Sequence, residues 1–182
     1  MNLLDKRIVC FLLFFFMAFA GVLIAIDTAM AINVTECDVA PDFSAWTMSG
    51  EQITLSHLRG RHVFVTFWSS WCSRCQEEME YLKDLKRRYP DVIFVAVTSE
   101  SEDMDGEELA KVQQAVEDWD LPFIVLLDKG LKIWDRYKVN ALPTSVIIGK
   151  DGRVIFAEPN FYWASVDNIE HAMSRIDSLA CN

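Results

Sequence analysis

Basic charge is in short supply in this chain: 17 lysines and arginines stand against 27 aspartates and glutamates, a formal net charge of −10. That balance excludes a nucleic-acid partner, which needs a basic face. Cysteine is sparse, and five in 182 residues are too few for a small scaffold stapled by disulfides. There are three histidines. His57 and His62 stand alone and no second Cys-x-x-Cys exists, so a zinc site lacks half its ligands and no metal is expected. Neither an internal repeat nor a low-complexity tract is present. The length suits one domain plus a targeting segment.

Charge is missing altogether from Ile8 to Ile26. As a helix, rising about 1.5 Å per residue, that run spans about 28 Å, close to the hydrocarbon thickness of a bilayer. Lys6 and Arg7 precede it, which holds the N-terminus in the cytoplasm. Ala29-Met30-Ala31 fits a cleavage site, so residues 1–31 read as a signal anchor or a signal peptide. The length of the run favours the anchor. Residues 32–182 then form a domain outside the cytoplasm. Cys10 lies within the apolar run and reads as filler.

What is present in strength is an alternation of apolar runs and helical spacings. Glu51–Thr54 reads as a short strand, and Leu55–Leu58 as a helical turn ended by Gly60. Val63–Phe67 and Val92–Val97 read as buried strands without polar alternation. Between them Cys75, Met79, Leu82 and Tyr89 recur at helical spacing in a helix from Cys72 to Tyr89, stopped by Pro90. Leu109, Val112, Val116 and Trp119 make one face of a helix over Glu107–Trp119. Phe123–Leu127 is a third strand and Leu131–Tyr137 a short helix. Ser145–Ile148 and Val154–Ala157 are strands joined by the turn Gly149-Lys150-Asp151-Gly152. A last helix runs from Ser165, its expected N-cap, to Leu179. The order predicts an α/β fold, a mixed central sheet with helices on both faces, behind the N-terminal hydrophobic helix.

The stretch Trp68-Ser69-Ser70-Trp71-Cys72-Ser73-Arg74-Cys75 joins the first buried strand to the first long helix. A Cys-x-x-Cys pair at such a turn puts its first sulfur at a helix N-terminus, where free backbone N–H groups and the macrodipole favour an anion. Cys72 is therefore expected to ionise easily and to attack, with Cys75 one turn further in. The four-residue loop they close is worth only about 2 kcal/mol of stabilisation, a bond easily given up. Arg74, between the sulfurs, either supports the thiolate or is a solvated side chain. Glu78 either acts on the thiols or, with Glu77 and Glu80, answers the helix dipole. Trp71 flanks and presents Cys72. Trp68 reads as core; Trp46, Trp119, Trp134 and Trp163 have no assigned role, with core or surface packing as the default.

This strand-plus-Trp-Cys-x-x-Cys motif, with Ala40-Pro41-Asp42-Phe43 upstream and Ala141-Leu142-Pro143-Thr144 downstream, resembles the thioredoxin superfamily. Within it the chain is similar to the membrane-tethered TlpA/ResA-like thiol–disulfide oxidoreductases, over roughly Val39 to Leu179. The resemblance implies a thioredoxin-like fold in which the Glu107–Trp119 helix is a central insertion. It implies a redox-active disulfide, Cys72–Cys75, that exchanges electrons with protein disulfides, and an acidic residue, Glu78, tuning the thiols. It implies a cis bond at Leu142-Pro143, with Trp71, Leu142 and Pro143 meeting the substrate chain. Dithiol reduction in a bacterial envelope follows, for example of apocytochrome c thiols, with a transmembrane electron-donor protein to restore the pair and no cofactor. An oxidant or isomerase of the same fold is the alternative. A metal-binding chaperone on this scaffold would need wider cysteine spacing and a distal histidine, and a peroxidase the missing Pro-x-x-x-Thr-x-x-Cys pattern. Cys37 and Cys181 depart from the family pattern. Lying near the two ends of the domain, they either pair as a structural disulfide or remain separate thiols.

Overall fold

The computed structural model describes residues 32, 34–98, 100 and 103–178. The chain divides into two compact units, Met1–Ala31 and Ile32–Asn182. The first lies wholly outside the described residues, and with it the expected anchor at residues 8–26. Among the described residues no helix is long and apolar enough to cross a membrane.

The second unit is built on a seven-stranded sheet: β1 (Ser44–Thr47), β2 (Gln52–Thr54), β3 (Val63–Trp68), β4 (Ile93–Thr98), β5 (Ile124–Leu127), β6 (Thr144–Ile148) and β7 (Val154–Pro159). The strand order is β2-β1-β5-β4-β3-β6-β7. β3, β4 and β5 run parallel, while β6 and β7 on one side and β1 and β2 on the other run antiparallel to their neighbours. The helices are α1 (Ser73–Arg88), α2 (Gly106–Asp118), α3 (Lys132–Tyr137) and α4 (Trp163–Ser174). The mixed sheet expected from the residue pattern is therefore present, with a further strand, β1, that the pattern did not mark. Four residues with one buried alanine carry too short a period to stand out, and pairing with β2 and β5 makes the strand.

β3 is buried along its whole length, and strand alternation divides it between two cores. Phe64 and Trp68 belong to one core, with Met79, Leu82 and Leu85 of α1, Val112 and Ala115 of α2, and Ile169, Ala172 and Met173 of α4. Val63, Val65 and Phe67 belong to the other, with Phe43, Ile133, Tyr137 and Val139. Thr66 falls between Phe64 and Trp68 and so faces α1. A lone hydroxyl on that face needs a partner.

Two boundaries differ from the residue pattern for a physical reason. α4 begins at Trp163, so Ser165 is not its N-cap but lies in its first turn. There the Ser165 hydroxyl accepts from the Tyr162 N–H at 3.1 Å and donates to Glu158 Oε1 at 2.7 Å. The helical segment closes at Ser174, followed by turns, and Leu179 lies outside the described residues. α1 ends as its sequence directs. Lys86, Arg87 and Arg88 occupy its last turn, opposite in sign to the dipole, and Pro90 follows.

Candidate active site

The carboxyl ends of β3 and β4, the start of β6 and the end of β7 meet at one edge of the sheet. Parallel pairing sets Trp68 beside Thr98. Antiparallel pairing sets Phe67 beside Thr144 and Thr144 beside Pro159. The Cys72 loop, the segment after β4, the Leu142-Pro143 peptide and the β7–α4 loop therefore converge, at the place where open α/β sheets bind their ligands.

Cys72 is the N-cap of α1, in an extended backbone conformation, and its sulfur accepts from the Cys75 N–H at 3.2 Å. One of the free N–H groups of the helix start is thus spent on sulfur. The two cysteines form a disulfide with Cα atoms 5.2 Å apart. Cys72 keeps 8% of its surface exposed and Cys75 none, so the outer sulfur is the first and the inner one the second. Trp71, 70% exposed, stands beside them. Arg74 lies with its guanidinium 4.9 Å from the centre of the Tyr162 ring, which ties the first turn of α1 to the β7–α4 loop.

Glu78 is not on the solvated face of α1. It is 1% exposed and points at the sheet. Thr66 Oγ1 donates to its Oε2 at 2.6 Å and Ser145 Oγ to its Oε1 at 2.6 Å. Burial pushes the carboxyl up to about 7, opposed by these two hydroxyls and supported by the like charge of Glu158. Position i+3 from Cys75 sets it on the same helix face, with Cβ atoms about 5–6 Å apart. The reading of Glu78 as a helix-dipole acid with Glu77 and Glu80 is thereby corrected: the first turn of α1 holds no acid, and the glutamate faces inward because two hydroxyls wait there.

The Leu142-Pro143 peptide is cis. Leu142 is half-buried between the two cores, Thr144 Oγ1 donates to the Ala141 carbonyl at 2.8 Å, and the Asn160 N–H donates to the Pro143 carbonyl at 2.8 Å. Trp68 is buried against Trp119, ring centres 5.3 Å apart, as a core residue should be. Trp46, in contrast, is exposed.

Several residues of this site went unnoticed in the sequence. Glu100 accepts from the Ser70 N–H at 2.6 Å and from its hydroxyl at 3.2 Å. Thr66 stands alone as a buried polar group in an apolar strand, and Ser145 follows Thr144 at the start of another; a hydroxyl among apolar residues is the signal that marks them. Glu158, in β7, carries no such mark. Cys37 is disulfide-bonded; the expected pairing with Cys181 falls on a residue outside the described ones. Among the described residues no group of three or more His, Cys, Asp or Glu could hold a metal ion.

The AhpC/TSA family profile matches residues 37–157. A thiol-disulfide oxidoreductase ResA from Bacillus cereus is 41% identical over 118 residues, which cover 64% of this chain and 65% of that protein. The chain thus spans a little under two thirds of that relative's length. A thiol-disulfide oxidoreductase ResA from Geobacillus kaustophilus is 33% identical, covering 70% of this chain and 68% of its own. Among solved structures, a secreted Mycobacterium tuberculosis disulfide oxidoreductase homologous to E. coli DsbE superposes with a TM-score of 0.62 at 28% identity, covering 72% of this chain and 94% of its own.

Proposed function

The chain belongs to the AhpC/TSA family, and from that premise we propose that it is a thiol–disulfide oxidoreductase that exchanges electrons with protein disulfides through Cys72 and Cys75. One observation carries the reading: the outer sulfur accepts a helix-start N–H at 3.2 Å while the inner sulfur is fully buried behind it. When reduced, Cys72 is held as a thiolate by those N–H groups and the dipole.

The Cys72 thiolate attacks one sulfur of a substrate disulfide. That S–S bond breaks, a mixed disulfide forms, and the departing substrate thiolate takes a proton from water. Cys75 gives its proton to the Glu78 carboxylate and attacks the Cys72 sulfur. The Cys72–Cys75 bond forms, the mixed bond breaks, and the second substrate thiolate is protonated at the expense of Glu78. Two electrons have passed to the substrate. An acid whose proton affinity lies near neutral pH suits both transfers. Trp71, Leu142 and Pro143 supply the surface against which the substrate chain lies.

We assign the working direction as reduction, in the extracytoplasmic space of a bacterial envelope, with residues 1–31 as anchor or signal peptide and residues 32–182 as the catalytic domain. The oxidised cysteine pair of an apocytochrome c, reduced to its thiols, is one substrate of this kind, and a transmembrane dithiol protein is the electron donor. The apolar run at residues 8–26 supports export, as does the secreted mycobacterial relative. Cys181 is assigned as the partner of Cys37, which mass spectrometry of the unreduced chain tests directly.

The decisive experiment has two arms. The wild-type chain should catalyse insulin reduction and Cys72→Ser should not. Cys75→Ser should accumulate in cells as a mixed disulfide whose partner can be identified. A wild-type chain without insulin reductase activity and a Cys75→Ser variant that captures nothing would overturn the reading. A strongly reducing potential supports the reductive direction, and an oxidising one reverses it.

A further inference from the structure

We propose that Glu158 is a positioning residue for the dithiol chemistry: from the far side of Ser145 it governs when Glu78 gives up its proton. The inference rests on the exchange reading above and extends it to a carboxylate on the edge strand.

The geometry is a row across three strands. Thr66 of β3 is the register partner of Ser145 of β6, and Ser145 is the register partner of Glu158 of β7. Directly opposed residues of an antiparallel pair project from the same face with Cβ atoms about 4.5–5.5 Å apart. Thr66, Ser145 and Glu158 therefore stand side by side on the face covered by α1 and α4. Glu78 descends from α1 onto the first two, which donate to its two oxygens.

Ser145 has one proton and spends it on Glu78. Glu158 takes its donors from α4 instead: Ser165 Oγ at 2.7 Å and Asn168 Nδ2 at 3.1 Å. Both donors are neutral. Among the described residues no lysine or arginine pairs with Glu158, in contrast to Glu170, which Arg88 holds through a double contact. The negative charge of Glu158 is thus fixed beside Glu78 with no cation to cancel it.

Among the described residues no cation pairs with Glu78, and Glu158 is the charge that acts on it. β3 offers Thr66 and β6 offers Ser145. The core side of α4 is Ile169, Ala172 and Met173. On α1, Cys75 lies one turn toward the helix start and Cys72 at the N-cap beyond it; Arg74, also one turn back, lies over the Tyr162 ring, and Tyr81, one turn on, donates to Glu170. A like charge at close range disfavours ionisation, so Glu158 adds to what burial already does to Glu78. Its effect is to keep Glu78 a stronger base toward the Cys75 thiol.

The test reads Glu78 itself. The full chain, carrying ¹³C-labelled glutamate, is titrated by NMR in the reduced state, and the Glu78 carboxyl is assigned by its loss in Glu78→Gln. Glu158→Gln keeps the length of the side chain and one of the two acceptor oxygens and removes the charge. It should lower the Glu78 midpoint by on the order of one pH unit and move the acidic limb of the kcat/KM profile for insulin reduction the same way. Glu158→Val, suited to an edge strand, should do likewise, and Glu158→Asp should restore a midpoint near wild type. An active wild type whose Glu78 midpoint is unmoved in both Glu158→Gln and Glu158→Val overturns this inference alone. A midpoint that falls equally in Glu158→Asp also overturns it, because charge would not be the cause. A wild type that cannot reduce insulin overturns the exchange reading and this inference with it.

Discussion

The backbone N–H of Ser70 donates to Glu100 at 2.6 Å, joining the loop before Cys72 to the segment after β4. The Ser70 hydroxyl donates to the second oxygen at 3.2 Å. One half-buried carboxylate thus fixes Ser70, the residue that leads into Trp71 and Cys72. Burial raises its proton affinity, and the bonds from Ser70 work against that. Geometry at a site like this is set by what holds the loop as well as by the reacting sulfurs.

Glu100→Ala removes both acceptors and leaves the Ser70 N–H without its partner. Urea unfolding should show a loss of about 1–2 kcal/mol, the usual cost of an orphaned donor. Glu100→Gln can still accept from the Ser70 N–H and should lose less. Equal losses in the two variants would mean that the carboxylate acts on the loop by charge alone.

Glu78 makes stability depend on pH. Its carboxyl is raised from 4.5 to about 7 in the folded chain, so the folded state holds this proton more tightly than the unfolded state. The contribution is fully present below pH 4.5 and is lost as pH rises through 7. Over that window the loss is about 3 kcal/mol. Chemical unfolding of wild type and Glu78→Gln should therefore give a stability difference that moves in the variant's favour from pH 4.5 to 8. A difference constant across this range would show that the glutamate is not a protonated buried acid.

Trp68 is fully buried, and among the described residues its indole N–H has no hydrogen-bond partner. Its worth to the fold lies in volume and in the contact with Trp119. Trp68→Phe sacrifices no hydrogen bond and keeps an aromatic ring, whereas Trp68→Ala empties the site and should cost about 3–5 kcal/mol. Calorimetry should rank them in that order with a wide gap. Similar losses would point to a role for the indole nitrogen.

Arg74 rests over the Tyr162 ring. A double-mutant cycle of Arg74→Ala and Tyr162→Ala should give a coupling of about 0.5–1 kcal/mol, as at other exposed cation–ring contacts. Tyr162→Phe should keep most of it. Additive single losses would indicate that Arg74 is held by something other than the ring.

The sequence by itself determined the elements whose cause is local. An unbroken apolar run made β3 a buried strand. Helical spacing from Cys75 to Leu85 made α1, and Pro90 stopped it. A pair of cysteines three apart at a helix start could scarcely be anything but neighbours, so the centre of the candidate site was legible before any fold was known. Only the tertiary structure decided what surrounds that centre. Whether Glu78 met water or Thr66 and Ser145 depended on how α1 turned over the sheet. Whether Glu158 stood beside Ser145 depended on the register of β6 and β7, and whether Glu100 reached Ser70 depended on where β4 ended beside β3. A carboxylate looks the same in the chain whichever way it turns. Its proton affinity is raised by burial and held back by partners that lie 12, 30 and 67 positions away, and only packing supplies both.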